Sequence, residues 1–208
     1  MTTTSGSIST QPIGNSVNLA LLGSRLPVRL PEVSPVAIAP NEFWGSNYYD
    51  HPPLTDEIVQ EAERQLGVRL PAEYLSLLRI QNGGYTCGFG HPMSCPTTWA
   101  DDHVPLDSLA GIVIDPNHRT AQNILKTAYL TQEWGLPPRQ VLLTGDGHWW
   151  ISLDYRAGEV PSVVWLYVDL GQDIQVAPSF AAFLDGLLPE SAFAIDDEDE
   201  SDTENGGV

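Results

Sequence analysis

Four side chains able to ligate a metal lie close together in the sequence: Cys87, His91, Cys95 and His103, spaced Cys-x3-His-x3-Cys-x7-His. Zinc knuckles preset two ligands with a compact Cys-x2-4-Cys step, which this run lacks. The reading is therefore of loop residues and a buried thiol, with no metal and no cofactor. A second group, Asp146, His148 and Asp154 beside Trp149 and Trp150, holds the residue types of acid–base chemistry. A working base needs a positioned partner and a pocket. Asp146-Gly147 is already accounted for by a tight hairpin turn, where Asp and Gly tolerate positive φ. No Gly-x-Ser-x-Gly elbow is present. The expectation is a chain with no catalytic residue. The alternative, a small hydrolase using His148 or His118, requires a deep polar pocket around one of those histidines.

Recognition is the other chemistry these residues can do. In the run 149–155, Trp149, Ile151, Leu153 and Tyr155 alternate with Trp150, Ser152 and Asp154. Strand geometry puts the first set on one face and the second set on the other. Trp149 is thus expected in the core. Trp150, sharing a face with Ser152 and Asp154, is either an exposed anchor of the kind interfaces favour or is covered by the leader or the 85–103 loop. Asp101, Asp102, Asp146 and His148 join Trp150 and Asp154 as candidate protein-contacting residues, with a solvated acidic face as the plain alternative.

The charge supports that direction. The formal net charge is −18 and the pI about 4.3; seven acids fall in residues 196–204, leaving −11 for the rest. A field of that sign repels phosphate backbones and anionic membranes and speeds encounter with basic partners. Direct nucleic-acid and membrane binding are not expected, and a basic protein is the expected partner class. Two cysteines form no disulfide framework, and no apolar run approaches the ~18–20 residues of a membrane span. The expected compartment is the cytoplasm; the oligomeric state is not readable.

These residues need a scaffold, and a hydrophobic fraction of 42% with six Trp is enough to build one. Residues 1–45 form an extended, Pro-rich leader, with part of 28–38 able to lie on the domain as a strand. Thr55 is a good N-cap for a helix that carries Ile58, Val59, Ala62 and Leu66 on one side and stops at Gly67. A second helix runs from Pro71 with Tyr74, Leu75, Leu77 and Leu78 buried, and Asn82-Gly83-Gly84 ends it. Residues 85–105 read as a long loop, 112–114 as a short strand and 120–133 as a helix. Strands are expected over 140–143, 149–155 and 162–169. A closing helix from Pro178-Ser179 buries Phe180, Phe183, Leu184 and Leu187, and the acidic tail, 191–208, is too charged to pack. The fold class is α+β: an N-terminal helix hairpin on a mainly antiparallel sheet, an inserted helix and a C-terminal helix, within residues 46–190.

The run Leu66-Gly67-Val68-Arg69-Leu70-Pro71-Ala72-Glu73-Tyr74 followed by Asn82-Gly83-Gly84 resembles the signature of the SUKH superfamily. Val104-Pro105-Leu106 with Leu109-Ala110-Gly111-Ile112 is similar to that family's mid-domain strand entry. The run from Gly145 to Tyr155 is similar to its central hairpin, and residues 177–187 to its closing Phe-rich helix. The superfamily includes fungal cell-wall-assembly regulators and many bacterial immunity proteins. The resemblance implies an α+β fold and a role in stoichiometric protein binding, foremost immunity against a basic toxin domain. A regulatory or scaffolding interaction module is the alternative. No catalytic residue is carried over.

Overall fold

The computed structural model describes residues 38, 42–118, 120 and 122–194. The leader strand expected within 28–38, apart from Ile38, and the acidic tail beyond 194 lie outside the described residues. Helix α1 (Asp56–Leu66) starts where Thr55 Oγ1 accepts the Ile58 N–H, carries Asp56 and Glu57 in its first turn, and ends at Gly67 in the left-handed region. It buries Val59 and Ala62. Helix α2 (Ala72–Ile80) buries Tyr74, Leu75, Leu77 and Leu78. Together they form the expected hairpin.

Two antiparallel sheets lie behind it. One has the order β2-β1-β7, from β1 (Gly84–Pro92), β2 (His103–Leu109) and β7 (Leu188–Pro189). The other is the meander β3 (Gln140–Gly145), β4 (Trp149–Asp154), β5 (Ser162–Tyr167) and β6 (Gln172–Ala177). The Ala110 N–H donates to the Leu143 carbonyl at 2.7 Å, and the hydroxyls of Ser108 and Thr144 meet at 3.0 Å, so the end of β2 is stitched to β3. Helix α3 (Thr127–Trp134) follows a 3-10 turn (Ile124–Lys126), and α4 (Phe180–Asp185) follows β6. The fold is α+β. No helix among the described residues is long and apolar enough to cross a membrane.

The structure corrects several sequence expectations. Residues 85–105 are not one long loop: β1 and the start of β2 occupy both ends. Their alternation is masked by a register irregularity between Tyr85 and Phe89 and by glycines. Gly90 has a specific reason, since a Cβ there would lie 2.5 Å from the Phe193 ring. Residues 112–114 are not a strand. They are held by side chains instead, the Ile112 N–H by Asn82 Oδ1 and the Val113 N–H by Asn123 Oδ1. The helix expected over 120–133 begins only at Thr127, because Asn123 is extended and its side chain caps the 3-10 turn at the Leu125 N–H. Strand β6 lies outside the expected strands, its polar Asp173 and Gln175 facing out at the sheet edge. Phe43 is buried and Trp44 donates its Nε1–H to the Leu77 carbonyl at 3.0 Å, so both belong to the packed core rather than to the leader.

Asn82 binds three segments. Its Nδ2 donates to the carbonyls of Pro52 and Ile112, each at 2.8 Å, and its Oδ1 accepts the Ile112 N–H. Its own carbonyl accepts from His51 Nδ1 at 2.6 Å, which makes His51 Nε2 the acceptor of the Thr120 hydroxyl. Burial pushes the His51 and His91 rings below the usual histidine range. A histidine kept neutral by the fold loses stability as the unfolded chain takes up protons that the native state refuses. The urea midpoint should therefore hold above about pH 6.5 and fall on acidification toward the lowered native pKa values. His51→Gln and His91→Phe should each flatten that fall. Asn82→Ala, which orphans buried backbone groups, should cost about 3 kcal/mol, read from the same urea curves at pH 7.

Candidate functional site

One end of the meander gathers the aromatic and acidic side chains that the sequence scatters. Asp146 Oδ1 accepts the backbone N–H groups of His148 and Trp149, at 2.8 and 3.2 Å, which closes the β3–β4 turn. The Val168 N–H donates to the His148 carbonyl, and His148 Nδ1 meets Asp169 Oδ2 at 3.1 Å, so the β3–β4 and β5–β6 turns lie side by side. Leu170, at the tip of the second turn, is 71% exposed.

Residues 93–102, between β1 and β2, cover the adjoining face. The loop is closed on itself by the Met93 N–H to the Asp102 carbonyl and by Thr97 to Ala100. Gln172 Oε1 accepts from the Thr98 N–H and hydroxyl and from Trp165 Nε1, each at 3.3 Å, which fastens the loop to β6 and to the core. This placement builds a ladder of three indoles. Trp165 is fully buried, Trp149 stacks on it at 5.0 Å, and Trp99 meets Trp149 edge-on at 5.6 Å with 46% of its surface exposed. Asp101 and Asp102 follow Trp99 in the loop, and Asp102 bonds His103 Nδ1 at 2.7 Å.

The sequence-predicted residues divide accordingly. Asp146 and His148 lie in the β3–β4 turn beside Trp149, and Asp101 and Asp102 follow Trp99 in the loop that meets Trp149. Trp150 and Asp154 lie elsewhere. Trp150 is 7% exposed and packs with Leu136, Leu142, Val164 and Leu166 under α3. Among the described residues its cover is α3 rather than the 85–103 loop; the leader lies outside the described residues apart from Ile38 and residues 42–45. Asp154 is buried at the other end of β4 and is held by Arg156, whose guanidinium also reaches Asp173 at 2.6 Å. Burial pushes the Asp154 carboxyl up, but Arg156 and Gln140 outweigh it and carry it below the usual carboxylate range.

Sequence reasoning missed Trp99, whose position gives no periodicity to read. It also missed the exposed Tyr48 and Tyr85, which with Tyr49 form a cluster at centroid distances of 5.2–6.1 Å. Both thiols, Cys87 and Cys95, are exposed rather than buried. Cys87, His91, Cys95 and His103 do not converge: His103 stacks on Phe193 and His91 on Phe183. Among the described residues no group of three His, Cys, Asp or Glu side chains is placed to hold a metal ion.

His148 is largely exposed and bonds no side chain but Asp169 among the described residues. His118 bonds no side chain among them and sits against His51 over a shallow hollow with Ile114, Asp115 and Pro116. Among the described residues neither arrangement offers an aligned nucleophile; the exposed indole of Trp99 rests on Trp149, which stacks on the buried Trp165. Trp99→Ala should leave the unfolding free energy within about 1 kcal/mol, because only the outermost ring is lost. Trp150→Ala should cost about 3–5 kcal/mol. Urea denaturation of the two variants separates surface from core.

A search of curated proteins finds no match to the chain. The family model for the SMI1 / KNR4 family (SUKH-1) matches residues 53–186, from the approach to α1 to the residue that ends α4. That span contains the helix hairpin, β1 and β2 of the first sheet, the whole meander and the Trp99 rim, and the chain belongs to the SMI1 / KNR4 family (SUKH-1).

Proposed function

We propose that this protein acts by stoichiometric binding of a basic protein partner, and that the partner is a toxin domain which it neutralises. The observation that carries the reading is the Trp99–Trp149 ladder at an acidic rim. Interface hot spots favour a large aromatic anchor whose base is already fixed, because little side-chain entropy remains to be lost on docking. Trp165 and Gln172 supply that fixing. Asp101 stands two residues after the anchor, Asp146 and Asp169 lie in the two turns next to Trp149, and a net charge of −18 extends the field beyond contact range. Such a field speeds encounter with a cationic surface and rejects anionic ones. Family membership supports a binding role over a catalytic one, since the resemblance carries no catalytic residue.

A toxin bound this way is inactivated by occlusion of its active site or by trapping of an inactive state. The test is co-expression of the chain with the toxin-like domain encoded beside its gene, scored by survival and by co-purification. Rescue with a one-to-one complex is expected. Trp99→Ala should raise Kd by about 30-fold, and Asp101→Lys with Asp146→Lys should slow association by about 10-fold at low salt. Trp150→Ala, where it folds, should bind normally. Absence of rescue, or no toxin-like neighbour, would instead favour a regulatory or scaffolding interaction module, and an unbiased pull-down would then identify its partner.

A further inference from the structure

The chain has nine Lys and Arg residues against 27 acids, yet three of the nine line a single cleft. Arg64 comes from the last turn of α1, Arg69 from the link to α2, and Arg139 from the turn before β3. The cleft, of about 740 Å³, is completed by Gln60, Glu63, Tyr155 and Glu159. It lies beyond Tyr155 at the end of β4, and the Trp99 rim lies at Trp149, where β4 begins. At ~3.3 Å per strand residue the two sites are about 20 Å apart.

The arginines are held in place without being used up. Glu63 is buried; its Oε1 accepts the Leu70 N–H at 2.9 Å and its Oε2 accepts from Arg69 Nη1. The Tyr155 hydroxyl donates to the Arg69 carbonyl at 2.6 Å, which fixes the loop from the other side. Arg69 nevertheless keeps 83% of its side chain exposed, so most of its five N–H donors face solvent. Arg64 is bound by Glu61 on one edge and is 71% exposed.

Arg139 is exposed and forms no ion pair among the described residues. Its φ of +58° lies in the left-handed region, where glycine is the unstrained residue. The turn itself uses only the Arg139 carbonyl, which accepts the Tyr155 N–H at 2.9 Å. The fold therefore carries a strained backbone at a position where glycine would serve the turn better, and what it gains is a guanidinium aimed from this turn.

Guanidinium groups recognise carboxylates and phosphates through paired N–H donors. Several acids line or border the cleft and most of the molecule beyond it is acidic, which restricts the ligand. A long polyanion such as a nucleic acid would lie across repulsive surface, whereas a segment spanning only the cleft meets the arginines within a Debye length of about 8–10 Å. We infer that this cleft binds a short run of carboxylates in a peptide, gripped by Arg139 and Arg69 with Arg64 at its border. The chain's own residues 196–204, with seven acids, are one source of that chemistry, and an acidic segment of a partner protein is the other.

Fluorescence anisotropy of a fluorescein-labelled octaglutamate peptide with the full-length protein at low salt and pH 7 tests this, with octaglutamine as the uncharged control. Saturable binding of octaglutamate alone is expected. Arg139→Gly and Arg69→Gln should each weaken it about 10-fold or more, and Arg79→Gln, which removes an arginine outside the cleft, should not. Arg139→Gly also relieves the left-handed strain, so its urea midpoint should not fall, and lost binding then reads as lost recognition. A full-length variant with the seven acids of 196–204 changed to Asn and Gln identifies the source. Tighter peptide binding in that variant, beyond the gain from neutralising seven exposed acids outside both the tail and the cleft, assigns the cleft to the chain's own tail, and no gain beyond that control assigns it to a partner. Failure of both forms to bind octaglutamate, an unaltered affinity in Arg139→Gly, or an equal loss in Arg79→Gln would overturn the proposal. None of these outcomes depends on the rim, which is read with a basic partner and Trp99→Ala.

Discussion

The side chain of Asn82 substitutes for secondary structure where three pieces of irregular chain meet. Its amide donates to Pro52 and Ile112, its oxygen accepts from the Ile112 N–H, and its backbone carbonyl accepts a hydrogen bond from His51 Nδ1. The two Ile112 backbone groups would otherwise be buried without a partner, at a cost of about 1–3 kcal/mol apiece. Because Asn82 follows α2 directly and leads into β1, the clamp fixes the angle at which the helix hairpin meets the sheet. Tyr74 adds a second tie in the same place, its hydroxyl donating to the Ala110 carbonyl at 2.6 Å. Gly83 completes the junction: its φ is +85° and a Cβ would lie 2.4 Å from the Gly111 nitrogen. The Asn-Gly-Gly run is thus a joint first and a helix stop second.

From that joint the placement of both surface sites follows. The hairpin fixes one face of the meander, and Ala110 passes directly to β3 through the Leu143 carbonyl. With β3 placed, the β3–β4 turn falls at one end of the sheet and Arg139 and Tyr155 at the other. The rim and the arginine cleft are therefore opposite ends of one strand, β4, rather than independent loop features. A rigid strand between them holds their separation constant, which loops alone would not do.

What the sequence made legible depended on whether a residue's environment is local. The caps of α1, the apolar stripe of α2 and the alternation in β4 are set by near neighbours, and each lies where the sequence placed it. β1 was hidden because Gly84, Gly88 and Gly90 suit a bulge and a close ring contact, both of which are tertiary facts. Trp150 shows the same limit on the functional side. Alternation correctly put it opposite Trp149, but polar Ser152 and Asp154 suggested an open face, and α3 covers that face. Ser152 is tolerated there because its hydroxyl donates to the Val141 carbonyl, and Asp154 because Arg156 neutralises it. Trp99 had no pattern to reveal it, since its importance comes from a loop that reaches Gln172 across the fold.

The distribution of charge follows from the same geometry. A chain at −18 tolerates self-repulsion only where its acids are spread or locally neutralised. The meander end beyond Asp154 is neutralised by Arg156 between Asp154 and Asp173, and the α1 end by Arg64 with Glu61 and Arg69 with Glu63. At the Trp99 rim, Asp101, Asp146 and Asp169 have no arginine or lysine ion partner among the described residues. Negative potential is thus focused where the exposed indole stands and relieved where the arginines stand. On the two proposals, a cationic surface is steered to the rim and a carboxylate to the opposite end of β4. That separation of sign along one strand lets a strongly acidic protein hold two surfaces of different preference without either cancelling the other.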